Sequence, residues 1–414
     1  MTGNRTRDIS VADKLPQMTD EEKWGTDYHS PLEGESPKPS RQAPADTVGG
    51  IMYGCDVPPS PQPSPTKREG VRFRISPILL TLMGVAFACG LGVDLPAHAA
   101  SPHVVKRGQM HMGTLVFLTA VALDKQLAHE AIDQGFAEIH RLEQILSTWI
   151  PDSELSRINA AAGQRAVKAG PETMELLEYS LEMARLTEGG FNIAIGPAVE
   201  AWNVSREGRI PSREELESTR PLMDLSAIQI DREAGTVYLA RFGMRVDIGG
   251  IGKGYAADFA ARVMREAGAL SGVVAISGDI KTFGRLPDGQ RFVFGIQHPR
   301  KENGITIGQL ELEDEAVSTA GDYQRFFEKD GIRYHHILDP QTLQPARLSQ
   351  SVTIVASTGV LADGLDTGIF VMGPEQGMAL IERLPGVEGV IVGADGAVSV
   401  SSGLQDRLQL SAQK

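Results

Sequence analysis

The sequence predicts an α+β protein, with helices packed beside a mixed, mainly antiparallel sheet. Three observations lead there. Strand-like segments rich in Val, Ile and Thr follow one another in the second half, separated by turn residues. Three segments repeat apolar residues at helical spacing. The order of the two kinds is mixed, without the strict β-α-β alternation of a parallel sheet.

Taken in chain order, HMGTLVFLTAVAL (111–123) has strand composition, and AHEAIDQGFAEIHRLEQILST (128–148) is a long amphipathic helix. GPETMELLEYSLEMARLTEGG (170–190) is a second helix, ended by glycines. AIQIDREAGTVYLA reads as a hairpin turning near Glu233 and Gly235. GKGYAADFAARVMREAGA (252–269) is a third helix. GVVAIS, RFVFGIQ, ITIGQLEL, AVSTAG, SVTIVAS and GVIVGA are short strands. No tandem repeat interrupts them.

The first hundred residues differ in kind. Residues 1–70 are rich in Pro, Ser, Gly and charge without periodicity, the composition of a disordered or non-native extension. Residues 71–100 have the grammar of a secretory signal peptide: Arg72 and Arg74, an apolar run too short for a membrane span, then small residues at Ala97 and Ala99. A signal peptide in that position suggests that translation starts near Val71. The expectation is an exported, periplasmic protein whose domain covers 101–414. Cys89 lies in a poor match to a lipid-attachment box, and membrane association would follow only if it were lipidated. Cys55 and Cys89 are the only cysteines. A chain cut near Ala100 would therefore have no disulfide, thiolate nucleophile or cysteine-bound zinc. The net charge of −13, with no basic tract denser than Lys67 and Arg68, argues against a nucleic-acid partner.

Three stretches carry candidate chemistry. In GVLADGLDTGIF (359–370), Asp363 and Thr367 share a helix face and Asp366 adjoins them. Oxygens so placed suit a hard cation such as magnesium; equally, Asp363 could cap a helix with Asp366 as its capping-box partner. In RVDIGGIGKGYAAD (245–258), glycines and Lys253 open a helix after Asp247. That is a loop able to approach a phosphate, or a plain tight turn, and it matches no P-loop spacing. In RYHHILDPQTLQP (333–345), strand alternation turns His335 and His336 to opposite faces.

Together with MGT (112–114), STWIPDSELSRIN (147–159), GGFNIAIGPAVEAW (189–202), SGDI (277–280) and AVSTAGDYQRF (316–326), these stretches resemble the ApbE family of FAD:protein FMN transferases, from about Met112 to Gly373. The resemblance implies a T-fold-like architecture. It implies magnesium-dependent transfer of FMN from FAD to a Thr or Ser hydroxyl of a target flavoprotein, with release of AMP. It implies a metal site at Asp363, Thr367 and the Gly250 carbonyl region, with Asp366 beside it. FAD contacts would come from Met112, Trp149, Gly190, Phe191, Asn192, Asp247, Lys253 and Ile337. His336 is the candidate base, expected to titrate near ~6.5. Asn192, Ala194, Ser277, Ala320 and Leu343 depart from the family's usual residues. Two other readings fit the same residues: a magnesium-dependent FAD pyrophosphatase, and a non-catalytic periplasmic FAD-binding protein.

Overall fold

The computed structural model describes residues 51–53 and 101–411. The proposed signal peptide and most of 1–70 lie outside the described residues. Within 1–70, β1 (Ile51–Tyr53) pairs with the strand at 292–297.

The chain continues through β2 (His103–His111), β3 (Thr114–Ala122), α1 (Lys125–Leu146), α2 (Glu154–Ala160), β4 (Val167–Lys168), α3 (Pro171–Leu186), α4 (Gly196–Trp202) and α5 (Arg213–Thr219). Next come β5 (Ile228–Asp231), β6 (Thr236–Leu239), α6 (Gly252–Glu266), β7 (Ser271–Ile276), β8 (Asp279–Phe283), β9 (Phe292–Gln297), β10 (Thr306–Leu312) and β11 (Ala316–Gly321). The last part holds β12 (Phe326–Lys329), β13 (Ile332–His335), β14 (Ser349–Ala356), α7 (Gly359–Met372), α8 (Pro374–Ile381), β15 (Glu388–Gly393), β16 (Val398–Val400) and β17 (Leu408–Leu410).

The main sheet has eight strands in the order β16-β15-β14-β11-β8-β7-β3-β2. Every pairing in it is antiparallel. Its two faces are both covered, so its central strands read as unbroken apolar runs. In β7, Val274 and Ile276 face the helices, while Val273 and Ala275 face a second, four-stranded sheet, β1-β9-β10-β17. This settles the predicted class as α+β with antiparallel sheets.

Two helices position the site. In α1, Ala128, Ala131, Ile132, Phe136, Ile139, Leu142 and Leu146 are buried at spacings of three and four, and Asp124 caps the first turn by accepting from the Leu127 amide at 2.8 Å. α7 is different. It is apolar almost all round and is packed against α6, β11 and β14. Asp363 and Asp366 are buried in it, each with 2 % exposure.

α6 and α7 touch at glycines. A Cβ on Gly254 would lie 2.1 Å from the Gly359 carbonyl oxygen, and one on Gly359 would lie 2.4 Å from the Gly254 oxygen. The missing side chains let the two backbones meet. The Asp258 carboxylate of α6 then accepts the first amides of α7, Gly359 at 2.7 Å and Val360 at 3.0 Å. The capping reading of Asp363 is thereby corrected: the cap is supplied by Asp258, and Asp363 lies one turn inside the helix.

Candidate functional site

Three buried carboxylates converge where α6, α7 and the start of β8 meet. Asp279, Asp363 and Asp366 place oxygens within 4.8 Å of one another. Lys253 contacts Asp279, and its Nζ is 4.0 Å from Asp363 Oδ1. The Gly254 amide donates to Asp363 Oδ2 at 2.8 Å. Ser318 Oγ donates to Asp366 Oδ2 at 2.6 Å and also contacts Asp279. Thr367 Oγ1 donates to Asp366 Oδ1 at 3.1 Å. Gly250 abuts Thr367: a Cβ there would lie 2.8 Å from Thr367 Oγ1. Gly250, Asp363, Asp366 and Thr367, remote from one another in part, are thus brought together.

One ammonium faces three carboxylates. Desolvation penalises each charge, and the excess negative charge adds to the penalty. Burial, then the Asp279 carboxylate, pushes Asp363 up to about 7. Burial, then Asp363 and Asp279, holds Asp366 well above the ordinary aspartate range. Burial alone would lower the Lys253 ammonium, but Asp279 and Asp363 outweigh it and the net shift is upward. Two uncompensated charges on hard oxygen atoms match the charge and donor preference of a divalent ion such as magnesium. Asp279 belongs to the SGDI stretch, whose sequence alone gives it no role. Only its pairing across the sheet, next to β11 and beneath α7, reveals it.

The two histidines differ in burial and partners. His335 is 2 % exposed. Its Nε2 donates to the Ala346 carbonyl at 2.8 Å and its Nδ1 accepts the Ile337 amide at 3.3 Å. Both ring nitrogens are occupied, and burial lowers it to about 4. His336 lies just beyond the end of β13 and is half-buried. Its Nδ1 contacts the Arg325 carbonyl at 3.3 Å, which assigns the proton to Nδ1 and leaves Nε2 with a free lone pair. The expected titration near ~6.5 is corrected: burial, then Arg325, His335 and Lys253, push His336 down to about 3.

The residues expected to contact FAD are placed unevenly. Trp149 is 64 % exposed, with the Arg206 guanidinium 4.3 Å from its ring centre, an open aromatic platform. Met112 sits in the β2–β3 turn at φ 51°. Asp247 accepts the Gly249 amide at 2.8 Å, and burial raises its carboxyl. Gly190 is pressed against α7: a Cβ would lie 2.7 Å from the Gly368 oxygen. The side chains of Phe191 and Ile337 are buried in the core, at 3 % and 5 % exposure. Asn192 is likewise engaged: its Oδ1 accepts the Ala194 amide at 2.8 Å and its Nδ2 donates to the Met223 carbonyl at 3.0 Å. Two departures from family pattern, Ser277 and Leu343, sit in left-handed backbone at φ 58° and 61°, where glycine is least strained.

Fold and site together define a class: an antiparallel α+β chain holding a buried acidic cluster at the start of a glycine-rich helix. The chain belongs to the ApbE family, whose model matches residues 112–391. An FAD:protein FMN transferase of Treponema pallidum is 32% identical over 365 residues, 83% of this chain and 97% of that protein. One from Vibrio cholerae is 34% identical over 263 residues, 63% of this chain and 77% of that protein. Among solved structures, the ApbE protein of Thermotoga maritima superposes with a TM-score of 0.69 at 30% identity, covering 74% of this chain and 99% of its own. The flavinyl transferase ApbE of Pseudomonas stutzeri gives 0.65 at 28%, covering 74% and 97%.

Proposed function

We propose that this protein transfers FMN from FAD to a Thr or Ser hydroxyl of a target flavoprotein, using magnesium held at Asp363, Thr367 and Gly250, with Asp366 and Asp279 completing the acidic cluster. The observation that carries the reading is the charge imbalance at that cluster within a chain of this family. When bound, magnesium would neutralise the pyrophosphate and stabilise the departing AMP.

The chain's own residues supply the rest. The acceptor oxygen forms a bond to the FMN phosphorus, and the bond from that phosphorus to the AMP oxygen breaks. His336 Nε2 takes the acceptor's proton. A ring held near 3 is always neutral at pH 7 but is a weak base. Anionic FAD phosphates nearby would favour the imidazolium and raise it toward its ordinary range. Lys253 screens the acidic cluster, and Trp149 offers a flat ring a stacking face. The signal peptide read at 71–100 would place the reaction in the periplasm.

The test is to incubate the protein with FAD, magnesium and a candidate flavoprotein. Covalent flavin fluorescence on the target, with one AMP released per flavin attached, supports transfer. AMP release that ignores the target makes the protein an FAD pyrophosphatase, and FAD binding without AMP makes it a binding protein. Either result overturns the proposal.

A further inference from the structure

A second ligand set lies apart from the acidic cluster, where the end of β2 meets α1. His111 ends β2, and His140 and Glu143 are three residues apart on one face of α1. One ligand atom from each falls within 4.8 Å of the others. We propose that His111, His140 and Glu143 form a transition-metal site, suited to zinc, that fastens the β2–β3 turn to α1.

The spacing between His111 and Glu143 favours an ion over a direct bond. His111 Nδ1 is 3.5 Å from Glu143 Oε2. Zinc bonds of ~2.0–2.1 Å at tetrahedral angles put neighbouring ligand atoms ~3.3–3.5 Å apart, whereas a charge-assisted hydrogen bond closes to ~2.7–2.9 Å.

The outer contacts already orient the ligands. His111 Nε2 is 3.1 Å from Gln109 Oε1, an acceptor, so Nε2 carries the proton and the Nδ1 lone pair points at Glu143. Glu143 Oε1 accepts the Met112 amide at 2.6 Å, leaving Oε2 for an ion. The His111 ring is also stacked on Phe136, centres 5.8 Å apart, which fixes its plane. His140, edge-on to His111 at 5.9 Å, is exposed, so its ring can turn to close the set and solvent can reach the fourth position. Two imidazoles and one carboxylate select zinc or a neighbouring transition ion over magnesium. The acidic cluster, all oxygen, has the opposite preference.

This site does not depend on the transferase reading, and its test does not use activity. The full untagged chain, with Cys55 and Cys89 alkylated to remove competing thiols, is titrated with zinc against a chromophoric chelator in excess magnesium. One tight zinc equivalent is expected in the parent and in Asp363→Ala. His140→Gln, at an exposed position, should weaken zinc binding by on the order of a hundredfold, and Gln109→Ala by on the order of tenfold. Cobalt in place of zinc should give the intense visible bands of a tetrahedral centre in the parent and not in His140→Gln. The proposal is overturned if the parent binds no zinc under excess magnesium, or if His140→Gln binds it as the parent does.

Discussion

Placing one methyl group at Gly254 probes how closely the site depends on the α6–α7 crossing. In Gly254→Ala the new Cβ would lie 2.1 Å from the Gly359 carbonyl oxygen, 2.5 Å from its carbon and 2.7 Å from Asp363 Cβ. The first two are backbone atoms of a buried helix, so no rotamer change relieves them. Restoring ordinary contact needs the helices to part by about 1 Å, and overpacking of this kind costs about 3 kcal/mol, the upper end of the usual range. Alanine's better helix propensity offsets about 1 kcal/mol. The net loss is about 2 kcal/mol, roughly a 30-fold shift toward the unfolded state. The same displacement strains the hydrogen bond that the Gly254 amide donates to Asp363 and moves Lys253, so flavin transfer should fall by on the order of a hundredfold. Urea unfolding gives the first number, through a lower midpoint at unchanged slope. Transfer at saturating FAD gives the second. Gly364→Ala is the control on the facing helix, α7: its Cβ would meet the flexible Met183 side chain, Cγ at 2.5 Å and Sδ at 3.1 Å, and should cost less. Parental stability and transfer in Gly254→Ala, or a larger loss in Gly364→Ala, would refute the reasoning.

Asp363→Ala should abolish magnesium-dependent FAD turnover while circular dichroism stays native; turnover at the parental rate without added metal would count against the site. His336→Ala should keep FAD binding and lose transfer by on the order of a hundredfold, whereas His335→Ala, which breaks two buried contacts, should lower stability by about 1–3 kcal/mol and leave the transfer rate of the folded fraction near parental. Because FAD phosphates oppose the lowering of His336, the acid limb of kcat should lie at higher pH than that of kcat/KM; coincident limbs would argue against His336 as the base. Without divalent cation, the folded Asp363 titrates at about 7, above ~3.9 for an unfolded aspartate, so the folded chain holds more protons between them. Stability should therefore fall as pH rises from ~4 through about 7, by at most ~4 kcal/mol, and Asp363→Asn should flatten the trend; a melting temperature that rises over that window would contradict the shift. Ser277→Gly, which relieves a left-handed turn, should raise stability by up to ~1 kcal/mol, read as a higher urea midpoint.

Local periodicity determined the parts of this protein whose physics is local. The apolar spacing of α1 and α3 and the β-branched runs of β7, β11 and β14 each name their own element, because one buried face or two dictate the pattern within the segment. Strand alternation separated the 335–336 pair on the assumption that both lie in one strand, whereas only His335 lies in β13 and His336 follows its end. β2 escaped, because its mostly exposed face carries little apolar signal, and the short α4 and α5 escaped because seven residues span two turns. The site was legible only as separate motifs. Within α7, Asp363 reads equally as a cap or a ligand. What excluded the cap was Asp258, 101 residues earlier than Gly359, reaching across to cap the helix. Asp279 became part of the cluster only when β8 was seated beside β11 beneath α7. The shift of His336 away from ~6.5 was likewise set by Arg325, His335 and Lys253, and by burial. Sequence specifies which groups can ionise, and their local spacing. How far each is removed from water, and which charges it meets there, depends on segments that only tertiary packing brings together.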